Sequence, residues 1–594
     1  MVSRFLCTTA LEASWRTDEP VLFLGEWCRR HSRRARWETL DAQVLPYHWD
    51  DRARLHADYL YLKAFHERLL PALAVQLNEL HGVDHNVRYW RVLVGPWLGY
   101  FVQMLFDRWT SIQEALRNYP IHGTVVLRDA EDSVVPNDMA EFPRLFASDE
   151  WNHHLYGEIL QRYTELPCEI VNHRVPRPAA TSDSATLKGA IGQRVAAVLA
   201  RIAGSLARDD DAFFLATYLP FAVEVTLCRR FAQAPQRWRS IVPVRTPADD
   251  TRRRWVVEGE NTSDFEACAR AMIARQIPTA YLEGYAALRE QVAALPWPAR
   301  PKVIWTAIAH NSDDVFKAWA ADKVERGAPL VVGQHGGHYG VGRWSFTEEH
   351  DLAISDGYLS WGWTDPAQPR IRPVGQLKAK RPLGIRHARQ PRALLVTCSL
   401  PRFSYWMYSV PVARQWLDYF DDQCAFVAAL PGNIRKALTV RLYPTDFGWD
   451  QASRLRERFP DLEPDSGRAG IDDLLKETRV FVCTYNATTY LESFTMNVPT
   501  VMYWNPAHWE LREQALQDFD ELRRVGILHA TPESAARHLA AIWNDVDAWW
   551  SSRQLQDALA GFKRRYCHLS DGLRDHIEHA LRDVIAATGR RLAQ

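Results

Sequence analysis

The chain has 594 residues, enough for several hydrophobic cores, and at about 100–200 residues per domain it divides into two large lobes or three to four smaller units. Hydrophobic residues make up 47% and charged ones 24%, which excludes a disordered chain. Its 72 basic and 72 acidic residues cancel, so no global field draws in nucleic acid or an anionic membrane, and an anionic ligand must be met by a local site.

The first lobe opens with FLCTTALEASW and EPVLFLGEWC, two short β-type runs that each break into a turn, with Pro20 before the second. Arg4 starts an apolar patch that Glu12 and Arg16 interrupt before a signal-peptide core forms, so no export is expected. Nine scattered cysteines without a CxxC agree with a reducing, cytoplasmic setting. Arginine is dense at Cys28–Trp37 and Thr251–Trp255, where a solvated face competes with phosphate contact. Glu26 in GEWC and His48, Asp50 and Asp51 in LPYHWDD stand where strands end. There an acid or base faces a cleft and can transfer a proton or attack; each also reads as an ordinary surface charge.

From about 50 to 123 the apolar spacing is helical, which predicts an insertion. Its run VLVGPWLGYFVQMLF, Val92–Phe106, has fifteen residues where about 20 are needed to span a bilayer, so it reads as a buried helix or a surface groove for an amphiphilic acceptor. Arg174–Gly189, rich in Pro, Ala, Ser and Thr, reads as a linker. AFFLATYLP, KVIWTAIA, the helix VFKAWAADKVERG and the strand APLVVG then give strand, helix, strand, the rhythm of a parallel sheet. A second break lies at Gln376–Pro391, after which ALLVTCSLP, VARQWLDYF, TVRLYP, RVFVCTY and TVMYW repeat that rhythm. The predicted architecture is α/β, with an N-terminal lobe over 1–380, a C-terminal lobe over 381–545 and closing helices over 546–594.

In open parallel sheets ligands sit beyond the carboxyl ends of strands, so residues just after strands carry the chemistry. GQHGGHYG offers glycines at Gly333, Gly336 and Gly337 for close backbone approach, with Gln334, His335 and His338 as polar groups. RLYPTDFGWD places Arg441, Tyr443, Pro444 and Thr445 at a strand exit, within reach of a phosphate or a sugar hydroxyl, and equally readable as a packed turn. In YNATTYLES, Asn486, Thr488 and Thr489 stand at a helix start, where hydroxyls and free N–H groups form an anion site. Ordinary capping accounts for one threonine, and Glu492, three residues after Thr489, also fits a capping box.

The set YNATTYLESFTMNVPTV, RLYPTDFGW, GQHGG, ISDGYLSWGW, LGEWC and LPYHWDD resembles bacterial transferases of O-antigen and surface-polysaccharide biosynthesis regions, over Thr8 to about Asn505. The resemblance implies a GT-B-like fold, two Rossmann-type lobes around a cleft, with the acceptor on the first lobe and a nucleotide-sugar on the second. Within that class, enzymes using CMP-linked acidic sugars such as Kdo carry a His-Pro pair and a Ser/Thr pair near the nucleotide phosphate. By similarity Tyr443 and Pro444 stand for the first and Thr488 and Thr489 for the second, with tyrosine departing from histidine. GQHGG also resembles the histidine loop of CDP-glycerol-type polyol-phosphate transferases. The implied reaction is metal-independent sugar transfer without a cofactor beyond the nucleotide-sugar. The implied acceptor is a lipid-linked or oligosaccharide glycan, with peripheral contact at the inner face of the cytoplasmic membrane and no nucleic acid. His335, Glu26, Asp50 and Asp51 are the catalytic candidates. A non-catalytic glycan-binding scaffold is the alternative, and 24 tryptophans suit sugar stacking in either case. Rival motifs are incomplete: Asp209–Asp211 precedes a strand, HGG lacks a GxSxG elbow, and neither HNSDD nor His335 with His338 completes a metal set.

Overall fold

The computed structural model describes residues 2–128, 134–173, 207–378, 392–465, 467 and 469–593. The linker read at Arg174–Gly189 lies outside the described residues, as does most of the break at Gln376–Pro391.

Three five-stranded sheets organise the chain, and every strand pair in them is parallel. The first holds β1 (Arg4–Cys7), β2 (Val21–Phe23), β3 (Ala42–Val44), β4 (Ile121–Arg128) and β5 (Cys168–Asn172) in the order β3-β2-β1-β4-β5. The second holds β6 (Phe213–Leu215), β7 (Ile304–Thr306), β8 (Leu330–Gly333), β9 (Gly357–Ser360) and β10 (Ile371–Pro373), laid side by side in chain order. The third holds β11 (Ala393–Val396), β12 (Leu438–Arg441), β13 (Val480–Cys483), β14 (Thr500–Tyr503) and β15 (Leu528–His529), ordered β12-β11-β13-β14-β15.

The inner strands LVVG, ALLV and VFVC are buried at every position, because helices cover both faces of a parallel sheet and leave no side for polar alternation. The chain is therefore the α/β protein with parallel Rossmann-type lobes that its rhythm predicts. Residues 1–380, read as one lobe, hold two sheets. Strand rhythm reveals that strands exist but not which of them pair, so the first and second sheets merge in a sequence reading.

The helical insertion consists of Arg52–His81 and Val87–Asn118, between β3 and β4. Asp51 caps the first helix by accepting from the N–H groups of Ala53 and Arg54, Gly82 ends it in the left-handed conformation, and Asn86 caps the second. Val92–Leu105 is buried throughout, so the long apolar run is a core helix. At about 1.5–3 kcal/mol for each large apolar side chain, this one segment contributes a major share of the hairpin's stability. Although the hairpin leaves the first sheet, it lies against helices Asp314–Glu325 and Phe346–Ile354 of the second. Among the described residues no helix is long and apolar enough to cross a membrane.

The last helix, Leu573–Ala593, returns from the third sheet to pack on β9. Ten of the 24 tryptophans, Trp27 and Trp305 among them, are wholly buried, so they build cores where sugar platforms were expected. All nine cysteines are unpaired thiols, and the arginine-dense stretch near residue 33 is an ion-paired surface, with Arg33 on Glu12 and Arg34 on Glu457.

Candidate functional site between the second and third sheets

The third sheet reverses its strand order between β11 and β13, which opens a crevice beyond the carboxyl ends of those two strands. The turn that leaves β13 there, Thr484–Ala487, leads into the helix Thr488–Thr495. Its N-cap is Ala487, which has no side chain able to accept, so both threonines sit past the cap and the ordinary capping that competed as a reading for one of them does not occur. The Tyr490 N–H turns back to the Cys483 sulfur, and the N–H groups of Thr488 and Thr489, with the positive end of the dipole, are left to whatever enters the crevice.

Each threonine hydroxyl has a different task. Thr488 Oγ1 accepts from the backbone N–H of Gly337, 3.1 Å away across the gap between sheets, and keeps its own hydrogen for donation. Thr489 Oγ1 pairs with the Tyr485 hydroxyl at 2.7 Å. Asn486 is buried; its Oδ1 accepts from Tyr490, while its Nδ2 has no partner. The approach at Gly337 is so close that a Cβ there would lie 2.5 Å from the Ala487 carbonyl oxygen, which only glycine avoids.

From Gly337 the glycine-rich loop leads back to a chain of polar groups, buried except for His335, which is partly exposed. His310 Nε2 lies 2.6 Å from Asp351 Oδ1, and Asp351 Oδ2 lies 3.9 Å from His335 Nδ1. His335 Nε2 meets the Tyr339 hydroxyl at 2.8 Å, which meets Thr347 Oγ1 at 2.9 Å, and Thr347 bonds Tyr408. Burial pushes the His335 imidazole down to about 4 against the opposing pull of Asp351, and pushes His338 to about 4 as well, so both rings are neutral near pH 7. Glu348, raised by burial, accepts from Gly340 N and from Arg512, which ties the loop to the third sheet.

The remaining predicted residues divide into those near this junction and those committed elsewhere. Gln334 is wholly buried and holds the loop in shape: its amide donates to Gly336 O and accepts from Trp361 N and Trp363 Nε1, so it does not face a ligand. Gly333 is the last residue of β8, where a Cβ would meet Leu377 at 2.8 Å, and Gly336 is partly buried in the loop that follows. Arg441 pairs with Asp465 at 3.0 Å and Ala469 O at 2.8 Å, which uses its guanidinium internally, whereas Tyr443, Pro444 and Thr445 are exposed after the edge strand β12. Glu492 is partly buried on the first turns of the helix. Glu26 is held by Arg29 and Asp50 by Arg414, and Asp51 is the helix cap described above. None of these three carboxylates shares a hydrogen bond with the His335 chain among the described residues, and Asp51 acts in folding where attack or proton transfer was expected.

A model of one transferase family, the LIC12162 family transferase, matches residues 4–581. The chain belongs to that family. Among curated proteins no sequence relative of this LIC12162 family transferase matches. Solved structures resemble it weakly. The wall teichoic acid polymerase TagF shares 11% identity at a TM-score of 0.29, over 51% of this chain and 84% of that one. MurG of Acinetobacter baumannii shares 12% at 0.30, over 63% and 91%. WaaG, a glycosyltransferase involved in lipopolysaccharide biosynthesis, shares 14% at 0.27, over 62% and 99%. Likeness of this degree carries no weight for the chemistry of the LIC12162 family chain.

Sequence reasoning missed Asp351, Tyr339 and Thr347, and met His310 only as a fragment of a metal motif. The signal for Asp351 is present in FTEEHDLAI: a charged residue on the side of an amphipathic helix where a core residue belongs, which occurs when a buried partner awaits it. Among the described residues no group of three or more His, Cys, Asp or Glu side chains is placed to hold a metal ion.

Proposed function

We propose that this transferase moves a sugar from a nucleotide-sugar, CMP-linked and acidic as the motifs suggest, to a glycan acceptor in the assembly of a bacterial surface polysaccharide. It would work at the inner face of the cytoplasmic membrane. The observation that carries the reading is the helix Thr488–Thr495, uncapped at the crevice where the third sheet reverses. When the bond to the anomeric carbon breaks, the leaving nucleotide gains negative charge. Free N–H groups, the Thr488 hydroxyl and the helix dipole supply fixed positive potential for it. On the other side of the Gly337 contact, neutral His335 is the base for the acceptor hydroxyl. Its Nδ1 faces Asp351, which offsets the charge of the imidazolium that forms.

The test is thermal unfolding with CMP, CDP, UDP and GDP at millimolar concentration, followed by nucleotide release from the matching nucleotide-sugars. Selective stabilisation by CMP supports the reading, and selective stabilisation by CDP moves the donor to the glycerophosphate type. A melting curve that no nucleotide shifts removes the donor site and leaves a glycan-binding scaffold.

A further inference from the structure

The helix Phe346–Ile354 is polar on two sides. Thr347, Glu348 and Asp351 turn to the glycine-rich loop, while Phe346, Glu349, His350 and Ala353, three and four residues apart, line a cavity of about 450 Å³ under the helical hairpin. That volume lies within the range of small-molecule sites, about 300–1,000 Å³. Two glycines bring the hairpin close enough to wall it: a Cβ on Gly99 would fall 1.8 Å from Phe346 Cζ, and one on Gly95 2.8 Å from His350 Cε1.

Its lining holds polar groups that the fold leaves without partners. His350 is 4% exposed and neither ring nitrogen is hydrogen-bonded; His66, 6% exposed, has an unpartnered Nε2. Orphaned polar atoms at such depth cost stability unless a ligand or water meets them. Two of the three cations around them are paired with carboxylates, and the third donates to backbone carbonyls. Lys63 Nζ lies 3.0 Å from Glu349, Arg91 makes a two-pronged bond to Glu67 at 2.7 and 2.6 Å, and Arg370 donates to the carbonyls of Leu352 and Ser355. Arg370 is the one lysine or arginine of the lining without a carboxylate partner among the described residues, and a single such charge, already donating to two carbonyls, makes a poor phosphate site. Burial, joined by the nearby positive charges of Arg91 and Lys317, keeps His350 neutral, so its ring offers one donor and one acceptor. A sugar hydroxyl offers the same pair, the Glu67 and Glu349 carboxylates accept from further hydroxyls, and the Phe346 ring gives the C–H face of a sugar an apolar wall.

We infer that this cavity is a carbohydrate site for a neutral sugar residue, separated by one helix from the His335 chain. It needs neither the nucleotide nor the transfer step, and so stands apart from the proposed donor chemistry. The test is saturation-transfer NMR on the full chain with neutral hexoses, N-acetylhexosamines and their disaccharides, alongside inorganic phosphate and glucuronate. At least one neutral sugar should bind, and His350→Phe should weaken it at least tenfold. Ala353→Trp, at an exposed position on the rim, should do the same by filling the mouth, and serves if the buried variant fails to fold. Nucleotide-induced stabilisation should be unchanged in Ala353→Trp. Absence of binding by every neutral sugar, binding that survives Ala353→Trp, or binding of phosphate alone would overturn the inference.

Discussion

Among single residues, His335 and Asp351 carry the chemical prediction. A solvent-exposed histidine base loses its lone pair as pH falls through about 6.5. Burial lowers His335 to about 4, so initial rates should hold level from pH 8 to about 5.5 on its account and fall only as pH approaches 4. An acid limb centred near 6.5 would point to another base. Asp351→Asn keeps the shape and removes the charge that supports the imidazolium. Turnover should drop about 10²–10⁴-fold, the usual worth of a positioned acid–base group, with donor affinity little changed. Thr488 was legible in YNATTYLES as a hydroxyl at a strand exit. Its partner Gly337 was not, because 151 residues separate them and nothing local records the contact.

Among the elements, the junction of two loops is the most constrained place in the fold. Gly337→Ala puts a methyl 2.5 Å from one backbone oxygen and 2.7 Å from a backbone carbon, neither of which can rotate away. The variant should lose about 1–3 kcal/mol, the ordinary cost of overpacking, seen as a lower Tm, and should bind nucleotide more weakly as the loops part. A variant with unchanged Tm and affinity would show that the contact is slack. Strands such as LVVG and VFVC were readable because complete burial makes them uninterrupted apolar runs, and the hairpin because 3.6-residue periodicity persists over two long helices. Gln334 misled because a glutamine beside glycines has the same look whether its amide meets a ligand or, as here, two tryptophans. Asp51 misled for a related reason: capping and catalysis both favour aspartate at the edge of a helix.

The chain as a whole is built around neutral imidazoles. His48, His81, His153, His335, His338, His508 and His529 are each lowered to about 4, and burial is the largest cause in every case. Unfolded, these rings bind a proton below about 6.5, so between 6.5 and 4 the unfolded chain holds more protons than the folded one and stability falls as pH falls. A tenfold loss of proton affinity on folding corresponds to about 1.4 kcal/mol, against a typical total stability of about 5–15 kcal/mol, so several such rings together suffice to unfold the chain. Tm should be level from pH 8 to 7 and decline steeply below 6.5; a level Tm down to pH 4.5 would contradict this. The sharpest test of an anion site shared between the second and third sheets is calorimetric titration of CMP into the native chain and into a Thr488→Ala variant whose fold circular dichroism verifies. Saturable one-site binding is expected, weakening at least tenfold, about 1.4 kcal/mol, when the hydroxyl is removed. Equal affinity in the two proteins, or no saturable binding to the native chain, would show that no such site exists.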